Sequence, residues 1–191
     1  MNDCVTHLTM VQLEAGLEEI RRSPRDDGAV RLIVRRPENA RREVVDTAEL
    51  DPVQGLIGDN WSTRGSSRTP DGSSHPEMQL TLMNARVISL VAQAASRWSL
   101  AGDQLIVDMD LSVDNLPPGT RLRAGSAVIE ITPTPHTGCK KFVSRYGADA
   151  LKFVSTTTGK RLRLRGVNAR VLQPGRLRVG DSLRRIASDS G

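Results

Sequence analysis

The chain has 191 residues, 38% of them hydrophobic and 26% charged, with a formal net charge of +5, enough for one sizeable core and too balanced for wholesale disorder. Two cysteines, Cys4 and Cys139, can neither build a disulfide framework nor supply the four thiolates of an iron–sulfur cluster, so any electron transfer would need an outside donor. The longest apolar runs fall far short of the roughly 20 residues of a bilayer span, and MNDCVTHLTM lacks the marks of a secretory leader, so the expectation is a cytoplasmic protein with no membrane span.

In chain order, residues 9–22 carry Met10, Leu13, Leu17 and Ile20 at helical spacing and stop at Ser23-Pro24, which predicts a short covering helix. Residues 29–34 and 42–50 read as strands. GLIGDNW (55–61) then leads into STRGSSRTPDGSSHPE (62–77), a loop rich in Ser, Gly and Pro and without hydrophobic period. Structureless loops of this length inside a compact domain are usually functional or disordered. Here Arg64 and Arg68 stand among hydroxyls and glycines, suited to holding an anion.

Residues 78–83 alternate as a strand, Asn84 is a helix N-cap, and Val87, Val91, Ala94, Ala95 and Trp98 share one side of the predicted helix. Strands are expected at 104–110 and, after the Pro117-Pro118-Gly119 turn, as a hairpin over 121–132 that turns at Ala124-Gly125-Ser126. Beyond Cys139, the apolar positions from Phe142 to Val154 make a helix, or two interrupted at Gly147, with Lys140, Lys141, Arg145 and Lys152 on the other side. Strands at 161–172 and 177–186, joined by Gln173-Pro174-Gly175, close the chain. The alternation in RLRLRG predicts arginines on one face and leucines on the other.

Charge is unevenly spread. Residues 138–186 hold thirteen Lys/Arg against two Asp, a net +11, which leaves −6 for the rest. An anionic partner suits that segment, and a merely solvated cationic face competes with it. Cys139 sits where these cations begin, after Pro135-His136-Thr137-Gly138 and before Lys140 at an expected helix start, a setting that favours thiolate and makes it a candidate nucleophile or soft-metal ligand. The competing reading is a small apolar filler. His136 and Cys139 form a His-x-x-Cys pair, but His7, His75 and Cys4 lie in unrelated segments, so zinc is poorly supported; a Cys–His dyad stays open. Phosphate-loop, dinucleotide and nucleophile-elbow motifs are absent from the sequence, and two Trp, two Phe and one Tyr offer few stacking platforms, which disfavours nucleic acid.

Taken in order, GLIGDNW, MQLTLMN (78–84), AGDQL (101–105), PPGTRLRAGSAVIEIT (117–132), the single Cys139 and RGVNARVLQPGRLRVGD (165–181) resemble the MOSC domain, named for the C-terminal domain of molybdenum-cofactor sulfurase. The resemblance covers about two thirds of the chain, and the order and spacing of the pieces carry it. It implies a mostly β (α+β) fold, a barrel with flanking helices spanning 41–187, after an N-terminal extension or covering helix and first strand at 1–40. In the family the cysteine ligates the molybdenum of a pterin cofactor or carries sulfur destined for it, and members include enzymes that reduce N-hydroxylated compounds.

Cys139 matches that cysteine, while three positions depart from the usual pattern. Gly138 precedes the cysteine where Pro is common, Asn60 follows Gly58-Asp59 where Arg is usual, and Gly102-Asp103-Gln104 replaces Gly-Glu-Asn. The resemblance therefore implies a molybdenum-pterin site in which Cys139 fixes the metal, Asp59, Asn60, Asp103 and Gln104 shape the pterin pocket, and Lys140 and Arg165 face the phosphate, with Arg64 or Arg68 making good the cation lost at Asn60. A separate flavin or haem protein would deliver electrons. Two alternatives remain at this stage: a sulfur carrier with a Cys139 persulfide, and a non-catalytic basic binding module.

Overall fold

The computed structural model describes residues 6–187, so Cys4 lies outside the described residues. The chain opens with α1 (Met10–Ala15), where Thr9 and Gln12 form a reciprocal capping box, and α2 (Leu17–Arg21). Next come β1 (Gly28–Arg35), β2 (Glu43–Val45), β3 (Thr47–Asp51), β4 (Gly55–Leu56), α3 (Trp61–Arg64), a 3₁₀ turn at Pro76–Met78, β5 (Leu80–Asn84) and α4 (Ala85–Ala92). A 3₁₀ segment (Ala95–Ala101), β6 (Leu105–Asp108), β7 (Arg121–Ala124) and β8 (Ala127–Ile131) follow. After Cys139 the chain forms α5 (Lys140–Tyr146), α6 (Ala148–Ser155), α7 (Thr157–Arg161), β9 (Val167–Gln173), β10 (Gly175–Arg178) and β11 (Ser182–Arg185).

Seven strands, in the order β11-β7-β8-β9-β5-β6-β1, close on themselves because β1 also pairs with β11 through Gly28–Leu183 and Ala29–Ser182, and β2 extends β1 outside the ring. The barrel is mixed. Its β5–β6 pair is parallel and the other pairs are antiparallel. Parallel neighbours need a crossover, supplied here by α4 and the 95–101 segment.

Strand periodicity explains how two cores share one wall. Successive strand residues face opposite ways, so Leu80 and Leu82 of β5 and Leu105 and Val107 of β6 fill the barrel, while Met83 and Ile106 face outward beneath the helices. That is why β5 is buried at every position. The outer core joins Met83 and Ile106 to Leu13, Ile20, Val87, Phe142, Tyr146 and Phe153 of the helices. A small sheet, β10-β3-β4, contributes Ala48, Leu50, Leu56 and Leu177 to the barrel core. Each of these fully buried large aliphatic side chains stabilises the fold by roughly 1.5–3 kcal/mol. Among the described residues, no helix is long and apolar enough to cross a membrane.

Several expectations need correction, the single helix over 9–22 among them, which is α1 and α2 divided at Gly16. RLRLRG is not a strand: α7 runs to Arg161, Arg163 takes a left-handed φ of 49°, and pairing begins at Val167. Its arginines diverge accordingly, Arg161 to Asp114 on the surface, Arg163 to the Leu116 carbonyl and Arg165 into the interior. The single helix expected after Asn84 ends at Ala92, because Gln93 turns left-handed (φ 62°) and closes the last turn onto Ser89. The stretches 42–50 and 177–186, each expected as one strand, are each two strands belonging to different sheets. Finally, the 62–77 loop is tied down: Trp61 is buried and donates from Nε1 to the His75 carbonyl at 3.2 Å, Ser66 N donates to Gly72 O at 3.2 Å, and Thr132 Oγ1 donates to Glu77 O at 2.6 Å.

Candidate functional site

Two buried ion pairs underlie the site. Asp59, whose side chain is wholly enclosed, accepts from the Arg36 backbone N at 2.9 Å, from Arg36 Nε at 2.8 Å and Nη2 at 2.9 Å, and from the Trp61 N at 3.0 Å. This two-pronged match of guanidinium and carboxylate fixes Arg36, whose Nη1 reaches the Gly102 carbonyl at 2.9 Å. Asp103, also enclosed, accepts from Arg165 Nη1 at 2.8 Å; Arg165 Nη2 donates to Ala101 O at 3.2 Å and its guanidinium lies 5.0 Å from the Phe142 ring centre. Gln104 ties the pairs to the barrel: its Oε1 accepts from Thr81 N at 2.8 Å and Oγ1 at 2.6 Å, and its Nε2 donates to Gln79 O at 3.1 Å and Asp59 Oδ1 at 3.4 Å.

Asp59, Asp103 and Gln104 are thus braced inside the protein. Arg165, 7% exposed, is neutralised by Asp103. Asn60 precedes α3 without capping it, and its buried Oδ1 has no hydrogen-bond partner among the described residues.

Cations gather around the Gly102 turn. Gly102 is left-handed at φ 85°, a conformation glycine adopts without strain. A side-chain carbon built on it would lie 3.5 Å from Arg42 Nη2 and 3.7 Å from Arg145 Nη1, so Arg36, Arg42 and Arg145 converge on one turn. Burial pushes the Arg42 pKa down, and Arg145 and Arg36 push it further. Arg64 keeps a solvent-accessible surface, yet its pKa is also lowered, first by desolvation and then by Arg36. Arg36 has Asp59; Arg42, Arg64 and Arg145 form no salt bridge among the described residues, and Arg42 Nε is buried without a partner. Like charges packed this closely repel, and an anion placed among them would relieve the repulsion.

Sequence reasoning missed Arg36, Arg42 and Arg145. The available signal was the repeated Arg-Arg pair, Arg35-Arg36 and Arg41-Arg42, flanking the short 37–40 turn. Part of the excess charge of 138–186 is dispersed in ion pairs, since Arg161, Arg170, Arg176 and Arg184 pair with Asp114, Glu130, Glu49 and Asp27.

Cys139 is exposed and free, at the N-cap position of α5, with Lys140 exposed beside it. Lys141 Nζ lies 3.5 Å from Asn39 Oδ1, which sets the start of α5 against the turn between Arg36 and Arg42. His136, three residues before Cys139, has Nδ1 3.3 Å from Asp103 Oδ1, without the alignment of a hydrogen bond. Burial and the Arg165 charge hold its pKa at about 3 against the opposing pull of Asp103, so the ring is neutral. Arg68 is exposed, its Nη1 3.8 Å from Met78 Sδ, and it acts on His136 rather than on Arg42. Among the described residues no three His, Cys, Asp or Glu side chains gather as metal ligands, so a metal held through Cys139 would take its other ligands from a cofactor.

A closed mixed β-barrel with flanking helices and an exposed cysteine at the start of α5 defines an α+β barrel domain. The MOSC domain model matches residues 69–184, more than half of the chain, and the protein belongs to the MOSC domain family. Among solved structures it is similar to the YuaD protein from Bacillus subtilis (16% identity, 84% of this chain and 97% of that one, TM-score 0.61). It is also similar to YiiM from Escherichia coli (19%, 85% and 72%, TM-score 0.54) and YiiM from Geobacillus stearothermophilus (15%, 88% and 77%, TM-score 0.52). At these identities the likeness is one of fold. No curated protein matches the chain in sequence.

Proposed function

We propose that the protein binds a molybdenum-pterin cofactor, with the Cys139 thiolate as the protein's ligand to the metal and the Arg42, Arg64 and Arg145 guanidiniums receiving the pterin's phosphate. Family membership and one observation support this reading: an exposed free thiol stands at the start of α5, and the far end of the same helix brings Arg145 to the Gly102 turn, where Arg42 and Arg145 have no carboxylate partner among the described residues. The residues fit the group. Thiolate is a soft donor suited to such a metal, guanidinium forks match phosphate oxygens, and the buried Asn60 Oδ1 is an acceptor for a ring N–H. Lys140 and Lys141 extend the cationic rim.

The bound group would supply two-electron oxygen-atom chemistry. The proposed reaction is reduction of an N-hydroxylated or N-oxygenated compound: two electrons and two protons convert an N–OH bond to N–H and water, the electrons coming from a separate flavin or haem protein in the cytoplasm. The chain's own contribution is to hold cofactor and substrate. Arg36 and Arg165, immobilised by Asp59 and Asp103, keep the Gly102 turn in place, and neutral His136 offers a hydrogen-bonding ring that carries no charge at physiological pH.

The test is elemental analysis of protein from a cofactor-producing host, beside Cys139→Ser and the Arg42→Ala/Arg145→Ala double variant. Molybdenum near one per chain in the wild type, lost in both variants, is expected. Metal-free wild-type protein with one extra sulfur on Cys139 would replace this reading with sulfur carriage.

A further inference from the structure

A cavity of about 350 Å³ lies between the 132–138 segment, α6, α7 and the start of β9. Three residues of its wall, His136, Thr137 and Gly138, directly precede Cys139; Arg36, Arg42 and Arg145 do not line it, and Arg165, which does, is already paired with Asp103. It is a separate compartment on the same loop. Val154 and Val167 give it apolar walls.

Polar groups on those walls are of two kinds. Asn168, fully buried, donates from Nδ2 to the Thr134 carbonyl at 3.0 Å, which fixes the orientation of its amide, and its Oδ1 is left without a hydrogen-bond partner among the described residues. An acceptor so enclosed costs about 1–3 kcal/mol if it stays unmet. His136 is the second acceptor. The Asp103 carboxylate lies 3.3 Å from Nδ1; although the pair lacks the alignment of a hydrogen bond, its negative charge favours the ring proton on Nδ1 over Nε2, the tautomer in which Nε2 is the acceptor. The other kind is cationic: Arg163 and Lys160 line the cavity, and neither forms a salt bridge among the described residues. Lys160 is solvent-exposed and Arg163 half-buried, which puts the positive charge toward the opening and the acceptors within.

We propose that this cavity binds a small organic acid with an apolar body, its anionic group meeting Arg163 and Lys160 and an N–H or O–H donor at its far end meeting Asn168 and His136. The apolar walls take the body, the paired acceptors select a donor, and the unpaired cations select a negative charge. That this ligand is the substrate rests on the molybdenum reading; that it binds does not.

The experiment uses full-length protein made without molybdenum, titrated with three probes and followed by calorimetry and backbone NMR. 4-Aminobenzoate carries both charge and donor, benzoate lacks the donor, and 4-aminobenzamide lacks the charge. Expected is saturable binding of 4-aminobenzoate, about tenfold tighter than either of the others, the scale of one charge-assisted hydrogen bond, with shifts confined to residues 132–138 and 154–168. Arg163→Gly keeps the left-handed backbone while deleting the guanidinium, and with Lys160→Ala it should erase the preference for acid over amide. Cys139→Ser should leave binding intact, so a metal-free protein that still selects the acid retains the cavity and discards only the cofactor. Failure of 4-aminobenzoate to saturate at millimolar concentration, a preference for the amide, or shifts centred on the Gly102 turn would overturn the proposal.

Discussion

His136 offers the sharpest numerical test. Its side chain is 12% exposed, and burial together with Arg165 lowers its pKa from 6.5 to about 3. A base whose folded pKa is depressed binds fewer protons when folded than when unfolded. Acid therefore favours the unfolded chain: the ring costs nothing well above pH 6.5, and stability falls as pH drops from about 6.5 toward 3. The full separation corresponds to about 5 kcal/mol. At pH 5 the unfolded ring is almost wholly protonated and the folded ring neutral, so the loss relative to pH 8 is about 2 kcal/mol, and any folded value below about 4 gives nearly the same figure. Urea unfolding at pH 8 and pH 5, on wild type and His136→Gln, isolates this contribution because every other titrating group is common to both proteins. The wild type should lose about 2 kcal/mol more than the variant. Equal losses, or an NMR titration of the His136 ring with a midpoint near 6.5, would show that the ring is hydrated and would remove it from the cavity wall as a neutral acceptor.

Other outcomes follow from the same geometry. Asp59→Ala leaves the Arg36 guanidinium buried without its counter-ion and should cost about 3–5 kcal/mol in chemical denaturation; a loss below about 1 kcal/mol would mean that water reaches the pair. Asn84→Ala removes the acceptor for Arg86 N and Val87 N and the donor to Ser23 Oγ and Met109 O, for a combined cost of about 2–4 kcal/mol in the same assay. Gly166 has φ 106°, and a side-chain carbon there would lie 2.1 Å from Leu82 O; Gly166→Ala should destabilise by about 2–4 kcal/mol, read as a fall in Tm. In a Cys4→Ser background a thiol-specific chromogenic reagent should label native Cys139 rapidly, and adding Cys139→Ser should abolish labelling; slow labelling only on unfolding would contradict its exposure.

The legible parts of the fold are those in which a local pattern meets a single environment. The 121–132 hairpin alternates and has Gly125-Ser126 at its turn, and it pairs Arg121–Glu130 through Ala124–Ala127 as the pattern requires. Asn84 caps α4, Gly147 separates α5 from α6, and residues 173–175 turn between β9 and β10. Errors arose where one backbone angle overrides a good pattern. Gln93 turns left-handed although Ala94, Ala95 and Trp98 continue the helical face, and Arg163 does the same inside a perfect alternation. Neither residue type announces that conformation. For the candidate site, residue type and the order of the family's pieces single out Cys139, His136 and Asp103 as candidates, whereas neither points to the arginine cluster. A sum of charge over a sequence window counts cations without regard to partners, and the described partners lie far along the chain, as in Arg176–Glu49 and Arg184–Asp27.

The two buried pairs also determine what charge the Gly58-Asp59 and Gly102-Asp103 turns present. A free Asp59 or Asp103 would repel phosphate; each is instead matched to one arginine, Arg36 or Arg165, so the pair presents no net charge to the site. What remains without a carboxylate partner among the described residues is the second rank of guanidiniums, Arg42 and Arg145 at the Gly102 turn and the more exposed Arg64. The Asn60 position then ceases to be a simple loss of a cation. Arg36, the residue after β1, pairs with the carboxylate of the Gly58-Asp59 turn, and Asn60 donates its backbone N to Arg36 O at 2.9 Å, so Asp59 finds its counter-charge outside its own turn. Changing Arg36 should therefore disturb both stability and anion binding, while changing Arg42 or Arg145 should disturb anion binding alone, a division that denaturation and phosphate titration on the same variants can separate.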